Sequence, residues 1–163
     1  MGILVREYRE SDRDEIIGMT ASIVDLMSTI DPHKRFRPKD KFDAEKYARL
    51  SMENAFHHQG KTFIVEADGT IAGYGIGLVE PNEERHTINH FPAKQGYIDA
   101  FFIKDGYRGK GVADALMNAL EEYFRNIDCE YTSVACVAAN TAARKFYEKM
   151  GYGEQYIDFL KKL

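Results

Sequence analysis

The amino-acid sequence predicts an α/β (α+β, mixed-sheet) domain with elements in the order β-α-α-β-β-β-α-β-α-β. Two features carry this. A strand–helix–strand unit spans Tyr97 to Val137, which requires a parallel, right-handed crossover. Ahead of it, two apolar runs flank Asp68-Gly69, the signature of an antiparallel hairpin. Parallel and antiparallel pairing in one chain make the sheet mixed.

The elements follow in order. Ile3 to Arg9 alternates as a first strand. Ser11 or Asp12 caps the next helix, with Glu15 at the capping-box position. Ile16, Met19, Ile23, Met27 and Ile30 give that helix its apolar face, and it stops before Pro32. Asp31 to Lys41, charged and Pro-bearing, is a loop; Asp43 to His58 is a second helix closing at Gly60. Lys61 to Ala67 and Ile71 to Glu80 are the hairpin strands. Gly73, Gly75 and Gly77 share one face of the second, which implies close approach of another element or a bulge. Pro81 to Gly96 is a polar loop and Tyr97 to Ile103 a strand. Gly109 to Ile127 is a helix with the stripe Val112, Leu116, Leu120, Tyr123 and Ile127. Tyr131 to Val137, Asn140 to Met150 and Tyr152 to Leu160 are a strand, a helix and a closing strand.

A length of 163 residues fits one domain, 1–163, with a core of its own. The net charge of -4 argues against a general affinity for nucleic acid or anionic membrane. No run approaches the ~20 apolar residues of a membrane-spanning helix. The two cysteines, Cys129 and Cys136, lie in or near one strand and are badly placed to pair, so reduced thiols and a cytoplasmic location are expected.

The segment Lys104-Asp105-Gly106-Tyr107-Arg108-Gly109-Lys110-Gly111-Val112-Ala113 joins a strand end to a helix start. Gly109 and Gly111 let the backbone approach a ligand, and the first helical N–H groups have no internal partners. With Arg108, Lys110 and the positive end of the helix dipole they make a pyrophosphate site. A Walker A loop would need Ser or Thr where Gly111 stands, and the dinucleotide fingerprint a third glycine where Asp114 stands. On the loop alone, a turn that merely joins strand to helix stays open.

Arg108-x-x-Gly111-x-Ala113 resembles the acetyl-CoA signature of the GNAT superfamily. Ile98-Asp99-Ala100-Phe101-Phe102-Ile103 resembles that family's fourth strand, and Asn140 through Phe146, Tyr147, Gly151 and Tyr152 its second conserved block. The resemblance covers about a third of the chain closely. It implies the GNAT acyl-CoA N-acyltransferase fold, acetyl-CoA as acyl donor and an amine as acceptor, with no metal. Its fourth and fifth strands would splay to admit the pantetheine arm along Phe101, Phe102 and Ile103. Arg108, Gly109, Lys110, Gly111, Val112 and Ala113 would hold the pyrophosphate, Asn140 would line the cleft, and Tyr147 would lie near the thioester sulfur. Family habit adds a homodimer.

Tyr147 is suited to protonate the departing sulfur, because a phenol stays protonated at neutral pH; periodicity alone would make it a core aromatic. Asp99 is the general-base candidate, acting through water, or equally a strand-edge carboxylate in a structural hydrogen bond. Glu80, Glu83 and Glu84 stand in reserve. His86 and His90 have metal-like spacing but lack a third ligand pattern, and Cys136 is a small apolar residue before it is a nucleophile. The basic loop His33-Lys34-Arg35-Phe36-Arg37-Pro38-Lys39 suits an anionic group on the acceptor, or is simply solvated. The Asp99 strand is instead similar to the diamine-acetylating branch, so the acceptor stays open: a small-molecule amine first, a protein N-terminus or lysine second. A non-catalytic acyl-CoA sensor would use the same loop but has no need of Tyr147; a P-loop nucleotide-binding protein is a third class.

Overall fold

A computed structural model of the chain describes residues 1–81 and 88–163. Ile3–Glu7 (β1), Lys61–Ala67 (β2), Thr70–Val79 (β3), Gln95–Ile103 (β4) and Tyr131–Val134 (β5) form one sheet in that spatial order. β1 to β4 pair antiparallel and β5 runs parallel to β4, so the sheet is mixed, as expected. Arg13–Ile30 (α1) and Ala44–His57 (α2) pack on one face; Val112–Asn126 (α3) and Thr141–Lys149 (α4) pack on the other.

Alternation along the strands builds a core on each side of the sheet. On β2, Ile64 joins Ile16, Met19, Tyr74 and Ile76 under α1 and α2. Its neighbour Val65 joins Ile98, Val112, Leu116, Leu120 and Phe124 under α3. Each fully buried aliphatic side chain contributes about 1.5–3 kcal/mol. The glycines of β3 admit α3: a Cβ on Gly75 would meet Leu120 at 2.9 Å, and one on Gly77 would meet Phe124 at 2.7 Å. That is the close approach the alternating glycines predict. The Asp68-Gly69 turn takes left-handed φ at both residues, 49° and 77°, the twist a tight hairpin requires.

Three sequence expectations are corrected. Asp12 stands at the N-cap of α1, but its buried carboxylate does not bond the helix end with Glu15 in support: it accepts from the Arg9 N–H at 2.8 Å and from Arg6 at 2.7 and 2.9 Å. Glu15 instead accepts from Lys104 at 2.6 Å. β4 begins at Gln95, ahead of Tyr97, and β5 ends at Val134, short of Val137. The closing strand over Tyr152–Leu160 does not form, and Tyr156, Ile157 and Phe159 are exposed. Strand alternation there would set Glu154 and Asp158 beside Tyr152 and Tyr156, and Gly153 and Gln155 beside Ile157 and Phe159, so neither face is apolar enough to commit to the sheet. No helix among the described residues is long and apolar enough to cross a membrane.

Candidate active site

β4 and β5 pair over four rungs, from Gln95↔Tyr131 to Ile98↔Val134, and then part. On the other side of β4 the register jumps: Gly77 faces Ile98 and Ile76 faces Ala100, which leaves Asp99 as the extra residue of a β-bulge. A bulge bends its strand and re-aims a side chain, and here it sits where the gap opens. Beyond it, the Phe102 carbonyl lies against Gly73 of β3, and the Lys104 N–H donates to Ala72 at 2.8 Å. Alternation therefore turns the backbone groups of Phe101 and Ile103 the other way, into the gap. The Ile103 carbonyl accepts from Arg108 Nε at 3.2 Å. Phe102 is turned from the gap on both counts, its ring packing on the α1–α2 side.

The far end of the gap meets the glycine loop. Asp105–Tyr107 makes one 3-10 turn, and Gly109 and Gly111 take left-handed φ of 71° and 81°. Gly111 stands at the N-cap of α3 with no side chain bonded to the helix end. The N–H groups of Val112, Ala113 and Asp114 precede the first intrahelical bond, Ala115 N–H to the Gly111 carbonyl at 3.1 Å. Arg108 pairs with Asp105 at 2.8 Å, and Lys110 donates to the Gly106 carbonyl at 2.7 Å. Both cations are exposed beside the loop. Open amide donors, a helix N-terminus and two cations fit a diphosphate; the unpaired edge at Phe101 fits an extended amide-bearing arm. Together these residues fit acetyl-CoA.

α4 forms the second wall. Asn140 caps it, Oδ1 accepting the Ala143 N–H at 3.2 Å, so this side chain reaches the cleft only through the helix it holds. Lys149 pairs with Asp114, tying the end of α4 to the start of α3. Tyr147 is half-buried between Phe146 and Tyr152, with ring centroids at 5.7 and 6.1 Å. Burial pushes its hydroxyl well above the ordinary phenol range, aided by the neighbouring Cys136, Tyr152 and Tyr97. Tyr147 is thus held protonated at neutral pH. Cys136 is exposed, and burial of its sulfur raises its thiol despite Arg144 nearby.

On the α1–α2 side of the gap, the charge of Asp99 bears on three phenols. Burial first, and Asp99 second, raise Tyr47 and Tyr97; Tyr74 is raised by burial and held to Thr20 at 2.8 Å. Glu80, which accepts from Gln95 at 2.6 Å, also bears on Tyr97. None of these tyrosines was singled out by sequence. Tyr97 was within reach, being two residues from Asp99 on one strand; nothing local in the sequence places Tyr47, on α2, beside them.

His90 shares a contact with Tyr156 at 3.3 Å, while His86, Glu83 and Glu84 fall outside the described residues. The basic loop His33 to Lys39 is exposed throughout. Asp31 fixes its path, accepting from Arg35 at 2.8 Å and His33 at 2.9 Å, and those two N–H groups lower its carboxyl below the usual range.

The fold and this site define a class: a mixed-sheet domain whose opened strand edge and glycine loop fit a long phosphate-bearing ligand. Over 94 residues the chain is 31% identical to an uncharacterized N-acetyltransferase of Methanocaldococcus jannaschii, a match covering 57% of this chain and 53% of that protein. It is 33% identical over 112 residues to the uncharacterized N-acetyltransferase YycN of Bacillus subtilis, covering 69% of this chain and 65% of YycN. The chain thus spans roughly half to two thirds of the length of these curated relatives. Among solved structures, AAC(6')-Iy in complex with the bisubstrate analog CoA-S-monomethyl-acetylneamine has the same fold, with a TM-score of 0.70 at 16% identity over 100% of this chain and 99% of that one. The model of the acetyltransferase (GNAT) family matches residues 20–152, and the chain belongs to that family.

Proposed function

We propose that this chain is an N-acetyltransferase that moves the acetyl group of acetyl-CoA to a primary amine of a small molecule, by direct attack in a ternary complex. The observation that carries the proposal is the end of β4–β5 pairing at Ile98 and Val134, which leaves the β5-side backbone edge of β4 open at Phe101. Acetyl-CoA supplies an activated thioester. The loop from Arg108 to Ala113 holds its diphosphate, and Phe101 and Ile103 hold its amide arm as an added strand. Asp99 takes a proton from the amine through water, so that nitrogen bonds to the acyl carbon as the carbon–sulfur bond breaks. Tyr147 gives its proton to the departing sulfur; exchange with water restores both residues. The small-molecule acceptor is supported by the likeness to AAC(6')-Iy, whose ligand joins CoA to an acetylneamine. The two free cysteines support a cytoplasmic setting.

The test is thiol release from acetyl-CoA across a panel of amines, beside calorimetric titration with CoA. CoA binding with acceptor-dependent release is expected. Binding without release on any amine would leave an acyl-CoA sensor, and no binding would overturn the proposal.

A further inference from the structure

Asp99 is half-buried at the bulge, yet no hydrogen bond or ion pair from another described residue reaches its carboxylate. A carboxylate drawn partly out of water normally finds a partner, because desolvation without one is costly. What surrounds Asp99 is aromatic. Tyr97 precedes it on β4 and, with Ala100, packs into the core under α1 and α2 that also contains Ala48. Tyr47, the residue before Ala48, lies at the outer rim, half exposed, its ring 5.4 Å from that of Phe42. Tyr74 closes the floor and is tied off by Thr20.

The charges bearing on this group are all of one sign. Asp99 acts on Tyr47, Tyr74 and Tyr97, and Glu80 on Tyr97; no lysine or arginine contributes at any of the three. The basic loop His33 to Lys39 is exposed, its backbone turned around Asp31, and none of its cations bears on the three phenols.

We propose that Asp99, Tyr47 and Tyr97 form the acceptor subsite, and that it admits an alkyl amine arriving as an ammonium ion while rejecting amines that carry a carboxylate or phosphate. The inference rests on the acetyl-transfer function proposed above. A carboxylate without a countercharge supplies the partner for the ammonium, and phenol rings stabilise a cation over their faces. An anionic substituent would enter a space that already holds one uncompensated negative charge. Tyr47 is the specificity-determining residue: it stands at the rim and reaches the acceptor without touching the CoA loop. Asp99 both attracts the ammonium and receives its first proton; the second, shed as the nitrogen bonds to the acyl carbon, passes to the water that re-protonates Tyr147.

The experiment compares butylamine with 4-aminobutyrate, two amines of equal carbon count that differ by a distal carboxylate, using thiol release at saturating acetyl-CoA. The expected kcat/KM favours butylamine by about tenfold or more, the scale of one charge or cation–aromatic contact. Tyr47→Leu is expected to raise the KM for butylamine about tenfold while leaving CoA affinity by calorimetry unchanged; Tyr47→Phe, which keeps the ring, is expected to keep most of the affinity. Equal or better use of 4-aminobutyrate, or an unmoved KM in a folded Tyr47→Leu protein, overturns the subsite. Absence of release from every amine overturns acetyl transfer instead. The subsite is then read by titrating butylamine into the CoA-saturated chain: binding that Tyr47→Leu weakens upholds it, and no binding, or binding the variant leaves intact, overturns it.

Discussion

The rings of Phe101 and Phe146 lie stacked, 5.5 Å between centroids and 25° from parallel. One belongs to β4 at the gap and the other to α4, so this contact fixes how far α4 stands from the strand whose edge it leaves open. Tyr147 follows Phe146 directly. Phe146→Ala is therefore expected to lower kcat by about tenfold through misplacement of the phenol, with a smaller change in the KM for acetyl-CoA. Steady-state kinetics that moved only KM would show that the stack serves binding rather than placement.

Tyr147→Phe removes one oxygen and keeps the ring packing. If the hydroxyl protonates the leaving sulfur, kcat falls by about 10²–10³, while CoA affinity by calorimetry stays level. The pH profile adds a sign. Burial raises the Tyr147 hydroxyl above its ordinary value, so its loss of a proton as pH rises comes later than for a free phenol. The activity of the parent protein is expected to persist to about pH 10, the ordinary phenol value. A falling limb well below that, in the parent but not in Tyr147→Phe, would contradict the assignment.

The loop tests the diphosphate site separately from the chemistry. Gly111 holds φ at 81°, a region that costs a side-chain-bearing residue about 1–2 kcal/mol. Gly111→Ala is expected to shift the amides at the start of α3 and weaken CoA binding about tenfold, with kcat at saturating donor nearly unchanged. Arg108→Ala is expected to weaken binding and flatten its dependence on salt, because one exposed cation is gone. Calorimetry at two ionic strengths reads both.

What the sequence made legible was local and periodic. The glycine loop, the Asp-Gly turn and the Val112–Leu116–Leu120 part of the α3 stripe each carry their geometry in adjacent or helically spaced residues, whereas further along α3 it is Phe124 that is buried and Tyr123 and Ile127 are only partly so. The bulge at Asp99 is different: it is set by pairing with β3, twenty residues and more upstream, and no alternation within β4 reveals it. Tyr47 joins Asp99 only because α2 packs across the sheet. The closing strand failed for the opposite reason, since enough β-favouring residues were present to suggest a strand, but their two faces were not sorted into apolar and polar.

The remaining prediction concerns stability. Arg6 on β1 spans Asp12 and Glu66, at 2.7 Å to each, with its own side chain 16% exposed and that of Asp12 6%. Hydrogen bonding from Arg6 is the chief cause that lowers the Asp12 carboxyl below its ordinary value, against the burial that would raise it. A carboxylate with a depressed folded pKa lends stability that is fully present above its unfolded value, about 4. That stability is lost as pH falls through the lower, folded value. Asp12→Asn keeps the shape but removes the charge beside a largely buried guanidinium, for which about 3 kcal/mol is expected at pH 7. Acidification should then narrow the gap between parent and variant below about pH 4, because the parent loses the same charge. Urea titrations at pH 7 and pH 3 decide it: a gap that is absent at pH 7, or that widens at pH 3, would show that the Arg6–Asp12 pair does not hold β1 to the start of α1.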